Sequence, residues 1–427
     1  MIKKYLSAFI FLVLFGTPGF TQPMSYDPDL WLPDTIHMAL GNTIELYNDD
    51  IAYIKLNDTT LHFSWTYPKG SSDLRKYYWT TNQLGNVKVT IKCTYKHVIV
   101  DSASTIVKVV NKVNPGSKNL LAIGNSLTAS GFNYMFPQIL TDVNFPITPF
   151  GLVGTTYKHE GHGGWMFRTF VQYSAQNPTP FYILGKIDFI KYIENNSFPN
   201  PDIVKVSLGI NECYGTYSMD EIMGYAKQLI DTIKRDYPNS LIIVALPTLC
   251  EATGAGWLDD YKSLTNFEPY QLRIRQLWKR LYARYSYGKY YPNIQISWDG
   301  LFIDRTNGYP TNNGVHPNTL GYTQLIRGFS NTLNYYITKT ISTNIELERP
   351  TDAYKIYPNP VYDYFTISFM NEFPESISLY NELGQLVLSQ KVNDDRVTIN
   401  INNLENGLYV CNMKIGGKLY SQKILKF

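Results

Sequence analysis

The chain has 427 residues, 44% of them apolar, with 38 Lys and Arg against 35 Asp and Glu. That length calls for two or three folded domains, and that apolar share builds packed cores rather than a disordered chain. A formal net charge of +3 with no polybasic run leaves no electrostatic footprint for nucleic acid.

Residues 1–21 read as a signal peptide. Lys3 and Lys4 form a charged start, Tyr5 to Phe15 is a short apolar run, and Gly19 and Thr21 are the small residues before a mature start at Gln22. Without Lys3 and Lys4 the balance is 36 basic against 35 acidic residues. The apolar run is short for a membrane span, and no later stretch reaches about 18 consecutive apolar residues, so no transmembrane segment is expected after cleavage. An exported chain can carry disulfides. Of Cys93, Cys213, Cys250 and Cys411, Cys213 and Cys250 each follow a predicted strand of one sheet and are candidates to pair. Cys spacing fits no structural zinc site, and nothing calls for a cofactor. The 35 Tyr fit either carbohydrate contact or ordinary strand packing.

Residues 22–114 are expected to form a β domain. Short alternating runs such as Thr43–Tyr47, His62–Trp65 and Val87–Cys93, then the β-branched Thr105–Val110, are separated by turn residues. The pattern suggests an immunoglobulin-like sandwich, although the Cys…Trp…Cys signature is missing. Asn114-Pro115-Gly116 marks a boundary.

Residues 117–340 change character. Asn119–Ile123, Ile203–Leu208, Leu241–Leu246 and Ile294–Trp298 are continuous apolar runs, and helical patterns lie between them. Ser218 and Glu221 form a capping box ahead of an apolar face at Ile222, Ala226, Leu229, Ile230 and Ile233. Further helices are predicted over Tyr270–Tyr285 and Thr319–Ile337. Alternating strands and helices imply a parallel sheet covered on both faces, with chemistry at the carboxyl ends of its strands. A linker is expected over 341–353 and a small β-sandwich over 354–427.

The strand ends carry candidate chemistry. Gly124-Asn125-Ser126-Leu127 lifts a serine hydroxyl over a strand-to-helix turn, where its own N–H sits near a helix N-terminus and can face a developing oxyanion. Ser126 needs a base. Of six histidines, His37, His62 and His97 fall in the N-terminal β region, which leaves His159, His162 and His316. His316, between the last strand and the last helix, is expected on the same sheet edge as Ser126. Asn211 follows the second strand, and its amide can donate to an oxyanion without titrating. His159-Glu160-Gly161-His162-Gly163-Gly164-Trp165 is a glycine-rich loop with N–H groups to offer, and its spacing is not that of HExxH.

Taken in chain order, these four pieces resemble the SGNH/GDSL hydrolase superfamily. Gly124-Asn125-Ser126-Leu127 matches the first block with Asn125 for Asp, and Gly164 matches the second-block glycine. Gly209-Ile210-Asn211-Glu212 matches the third with Glu212 for Asp. Asn313-Gly314-Val315-His316-Pro317 matches the fourth with Asn313 for Asp. The resemblance implies a flavodoxin-like α/β hydrolase domain in which Ser126 attacks an ester carbonyl and His316 takes its proton. Ser126 and Gly164 N–H groups and the Asn211 amide would hold the oxyanion. HEGHGGW also resembles secreted carbohydrate esterases, which implies substrate contacts at His162 and Trp165. Asn313 is the departure that matters, because an amide can orient the imidazole but carries no charge; the equivalent Asp-to-Asn change in serine proteases costs about four orders of magnitude. Asn313, Asp299, Asp304 or a backbone carbonyl are the candidates to orient His316.

The expected activity is removal of acetyl or similar groups from a polysaccharide. A lipase or aryl-esterase and a non-catalytic glycan-binding protein are the alternatives. Tyr357-Pro358-Asn359-Pro360, Ser378 to Gln385, Asn406-Gly407-Leu408-Tyr409 and the terminal Lys423 to Phe427 resemble the C-terminal sorting domain of the type IX secretion system. That resemblance implies the secretion machinery as a partner and a secreted or cell-surface location.

Overall fold

A computed structural model describes residues 26–175, 178–286, 291–342, 354–369, 374–381, 385–392, 394–415 and 418–426. The signal-peptide segment, most of the 341–353 linker and part of the Ser378–Gln385 motif lie outside them. The chain divides into two compact units, residues 1–341 and 342–427.

The centre of the first unit is an all-parallel sheet. Its strands are Lys118–Gly124, Ile147–Phe150, Glu160–Gly161, Ile203–Ser207, Leu241–Ala245 and Ile294–Ser297. Lys118–Gly124 pairs on one side with Ile203–Ser207, then Leu241–Ala245 and Ile294–Ser297. On its other side Ile147–Phe150 pairs with its first half and Glu160–Gly161 with its end. Counted by the five longer strands, the order is 2-1-3-4-5. The strands are buried on both faces, as continuous Leu, Ile and Val runs require. A charge interrupts the run in Ile203–Ser207. Lys205 is buried, and its ammonium meets the equally buried Asp299 carboxylate at 2.9 Å. Asp299 also accepts from Ser297 Oγ at 2.7 Å.

Local rules set the helices. Met219–Asp236 starts where Ser218 Oγ accepts from the Glu221 N–H and the Glu221 carboxylate accepts from the Ser218 N–H at 2.8 Å. Such a cap is worth about 1 kcal/mol, and the buried face Ile222, Ala226, Leu229, Ile230 and Ile233 supplies the rest. The other long helices are Ser126–Asp142, Phe267–Tyr285 and Thr319–Ser342.

The N-terminal β region forms two sheets. One runs Thr35–Ala39, Val98–Val110, Gly85–Tyr95, Leu61–Thr66, with its first pair parallel. The other runs Thr43–Tyr47, Lys76–Thr80, Ser71–Ser72. This region shares one hydrophobic core with the α/β part. Buried Arg275 donates to the carbonyls of Asp50 and Ile51 at 2.7 Å each, and buried Arg305 donates to the Asp49 carbonyl at 2.7 Å. His37 stacks on Tyr335 of the last helix at 3.7 Å. Arg75 forms an ion pair with Asp304 at 2.6 Å.

The second unit has a three-stranded sheet of Tyr354–Tyr357, Tyr364–Phe369 and Arg396–Asn400. Its four-stranded sheet runs Leu386–Lys391, Ser376–Tyr380, Gly407–Ile415, Lys418–Lys426. Both contribute to a core of its own that includes Phe365, Ile367, Leu379 and Cys411. The Cys213–Cys250 pairing is not formed: all four cysteines are buried free thiols. Each of these two is fixed through its backbone instead, Cys213 O accepting from Arg273 and Cys250 O from Arg305.

Candidate active site

Gly124, Gly161 and Ser207 stand level at the carboxyl edge of the sheet. The segments that follow them therefore leave the sheet side by side. Ser126 follows the first strand and Asn211 the third. The outward paths of the chain diverge between those two strands, which is the switch point where such sheets bind ligands. The turn is tight for stated reasons. A Cβ on Gly124 would lie 2.0 Å from Thr128 Oγ1, and one on Gly161 would lie 2.6 Å from the Ala129 nitrogen. Asn125 caps the helix, its side chain accepting from the Leu127 N–H at 3.0 Å. The amide at 125 thus puts an oxygen where the helix needs one.

His316 Nε2 lies 2.9 Å from Ser126 Oγ, although 190 residues separate them. The other ring nitrogen, Nδ1, lies 3.2 Å from Asn313 Oδ1. That oxygen also accepts from the Val315 N–H at 3.0 Å and the His316 N–H at 2.7 Å. Two backbone donors identify this atom of Asn313 as its oxygen. Nδ1 must then carry the proton it donates, and Nε2 is the acceptor facing the Ser126 hydroxyl. Burial lowers the His316 pKa, opposed by the negative charge of Asp260. Asp299 and Asp304 do not serve His316. Their carboxylates are committed to Lys205 and to Arg75. Asp260, which the sequence reading missed, accepts from the Gly314 N–H at 3.0 Å.

On the opposite side, Asn211 Nδ2 donates to the Trp165 carbonyl at 2.8 Å, and its second hydrogen meets no acceptor among the described residues. Gly164 turns with φ +76°, in open space. The backbone N–H groups of Ser126 and Gly164 make no hydrogen bond among the described residues. His162 Nε2 meets the Glu160 carboxylate at 2.9 Å and the ring stacks on Trp165 at 4.0 Å. Trp165 is only 8% exposed and packs edge-on against Phe170. His159 Nδ1 accepts from the Gly161 N–H at 3.0 Å, and burial lowers its pKa to about 4. Buried Glu212 accepts from the Phe167 N–H, with its pKa pushed up to about 7 by burial. Tyr214, three residues after Asn211, and Tyr261, next to Asp260, stack with centroids 5.0 Å apart and are 48% and 37% exposed.

Residues 355–426 match the family described as the secretion system C-terminal sorting domain. The C-terminal unit is therefore a sorting domain of the type IX secretion system. It directs the chain to the cell surface or the extracellular space. Among the described residues no helix is long and apolar enough to cross a membrane. Over 72 residues the chain is 38% identical to the ulvan lyase NLR42 of Nonlabens ulvanivorans, covering 16% of this chain and 14% of that protein. Solved structures similar to the chain include a family two carbohydrate esterase from Clostridium thermocellum in complex with cellohexaose. It is 12% identical, with 72% of this chain and 94% of that chain covered and a TM-score of 0.31. A psychrotrophic esterase from Pseudoalteromonas is 11% identical, covering 52% and 99%, TM-score 0.31. A member of the lipolytic protein G-D-S-L family from Veillonella parvula is 14% identical, covering 54% and 99%, TM-score 0.28.

Proposed function

We propose that this chain is an extracellular serine esterase that removes acetyl or similar acyl groups from a polysaccharide. The observation that carries the reading is the Ser126 Oγ to His316 Nε2 distance of 2.9 Å, in the tautomer that a general base requires. Ser126 attacks the ester carbonyl as its proton passes to Nε2. The N–H groups of Ser126 and Gly164 and the free Asn211 hydrogen are the donors for the oxyanion. Collapse expels the sugar hydroxyl, protonated by His316, and leaves an acyl-serine. Water, deprotonated by His316, then releases the acid and restores Ser126.

The exposed Tyr214 and Tyr261 favour a glycan over a lipid ester, since flat phenol faces stack on sugar C–H surfaces while their hydroxyls stay wet. The 2-1-3-4-5 strand order supports a flavodoxin-like hydrolase domain over 117–340. The same reading takes 22–114 as an immunoglobulin-like module, 341–353 as a linker and 354–427 as the sorting domain.

The test is acetate release from acetylated xylan and pectin, alongside hydrolysis of 4-nitrophenyl acetate. Ser126→Ala is expected to lower kcat by several orders of magnitude. Equal rates for wild type and Ser126→Ala would overturn the esterase reading. Glycan binding by both, with turnover by neither, would establish the non-catalytic alternative. Activity on aryl or lipid esters alone would establish the lipase alternative.

A further inference from the structure

We propose that Asp260 supplies the negative charge that Asn313 lacks, acting on His316 as a positioning residue from a neighbouring helix. The proposal rests on the reading of Ser126 and His316 as nucleophile and base.

The need comes from the loop itself. Asn313 Oδ1 takes three donors, the N–H groups of Val315 and His316 and the His316 ring nitrogen. An oxygen with two lone pairs shared three ways, and with no formal charge, orients the imidazole but does little for an imidazolium. When His316 takes the serine proton, the positive charge that forms needs compensation, and the half-buried site offers less of it than water does.

The means is built into the adjoining helix, Ala255–Tyr261. Asp260 Oδ2 accepts from the Gly314 N–H at 3.0 Å, so the carboxylate is tied to the loop between Asn313 and His316. The helix is pressed against that loop. A Cβ on Gly256 would lie 2.8 Å from the Asn313 carbonyl, and one on Gly314 would lie 2.4 Å from the Trp257 nitrogen. On the other side the Glu251 N–H donates to the Gly314 carbonyl at 2.9 Å. These contacts hold Asp260 in register with the His316 loop.

Among the described residues Asp260 forms no ion pair, so its charge is not spent on a cation. Asp299 and Asp304 are each neutralised by a cation of their own. The Asp260 charge acts to raise the His316 pKa, opposing the effect of burial. Its own exposure to solvent keeps the coupling moderate and sensitive to salt.

The experiment compares wild type, Asp260→Asn, Asp260→Ala and Asp260→Glu in the full chain. Asn keeps an acceptor for the Gly314 N–H and removes only the charge. The His316 pKa is read by NMR titration without substrate, its resonance assigned with His316→Gln. Asp260→Asn is expected to lower that pKa by a few tenths of a unit or more. It should also cut kcat/KM roughly 3- to 10-fold at low ionic strength, with the gap to wild type closing as salt rises. Asp260→Glu should recover most of both. An unchanged His316 pKa and an unchanged salt response in Asp260→Asn would overturn the proposal, and a loss confined to the stability of Asp260→Ala would mark Asp260 as merely structural. Because the titration needs no turnover, its failure is distinguishable from failure of the esterase reading, which appears as equal activity in Ser126→Ala.

Discussion

At the residue scale the proposed chemistry depends on which atom of Asn313 faces His316. Two backbone N–H groups hold Oδ1 in place, so the amide acts as an acceptor and sets the imidazole tautomer. Replacement by a carboxylate adds charge without changing geometry. Asn313→Asp is therefore expected to raise the His316 pKa and move the acid limb of the kcat/KM profile to higher pH. On the proposed mechanism that limb is expected below the ordinary 6.5 in the native chain, because burial lowers the His316 pKa and the imidazole stays neutral until the pH falls through it. At the alkaline plateau Asn313→Asp should gain about tenfold or more in kcat/KM, a conservative share of the roughly 10⁴ that the charge and tautomer contribute together in serine proteases. Rates measured from pH 4 to 9 decide this, and a profile identical to wild type would show that charge at 313 is not limiting. Ser126 and His316 were legible because their neighbours in sequence form short recognisable blocks. Asp260 was not, since it sits at an exposed helix position 56 residues before His316 with no motif around it.

At the element scale, close helix contacts fix the distance between Ser126 and His316. A Cβ on Gly131, in the Ser126 helix, would fall 2.2 Å from the buried Tyr322 ring, one turn into the helix that follows His316. Helix propensity alone favours Gly131→Ala by about 1 kcal/mol. The clash outweighs this, and the variant is expected to lose about 1–3 kcal/mol in urea unfolding, with reduced acyl release as the two helices part. A more stable variant would show that the Tyr322 ring yields freely. Helix and strand placement was legible because capping at Ser218 and the continuous apolar runs act locally. The lone Lys205 within IVKVS gave no hint of Asp299 as its partner, because a buried pair is recognised through space and not by spacing.

At the scale of the molecule, the N-terminal β region and the α/β part share one core, and His37 is part of the joint. Burial beside Lys108 and Lys339 lowers its pKa to about 3. The folded chain keeps His37 neutral, whereas the unfolded chain protonates it at about 6.5. Its contribution to stability is whole above pH 6.5 and falls as the pH drops from 6.5 towards 3. His37→Phe retains the stack on Tyr335 and removes the proton site. Between pH 6 and 4 the wild-type unfolding free energy should fall faster than that of the variant, by about 1.4 kcal/mol per pH unit. Parallel curves in chemical denaturation would show that His37 does not couple pH to folding.

The amino-acid sequence by itself determined what is local: the apolar parallel strands, the capped helix, the serine turn, and the linear motifs of the sorting domain at 355–426. These follow from neighbours within a few residues and survive without knowledge of the rest of the chain. Tertiary structure alone decided the partners. It diverted Asp304 to Arg75 and Asp299 to Lys205, left Cys213 and Cys250 unpaired, buried Trp165 against His162 and Phe170, and brought Asp260 to the His316 loop. Charges and hydrogen-bonding groups are satisfied by whatever lies within about 3 Å, and only the folded chain determines what that is.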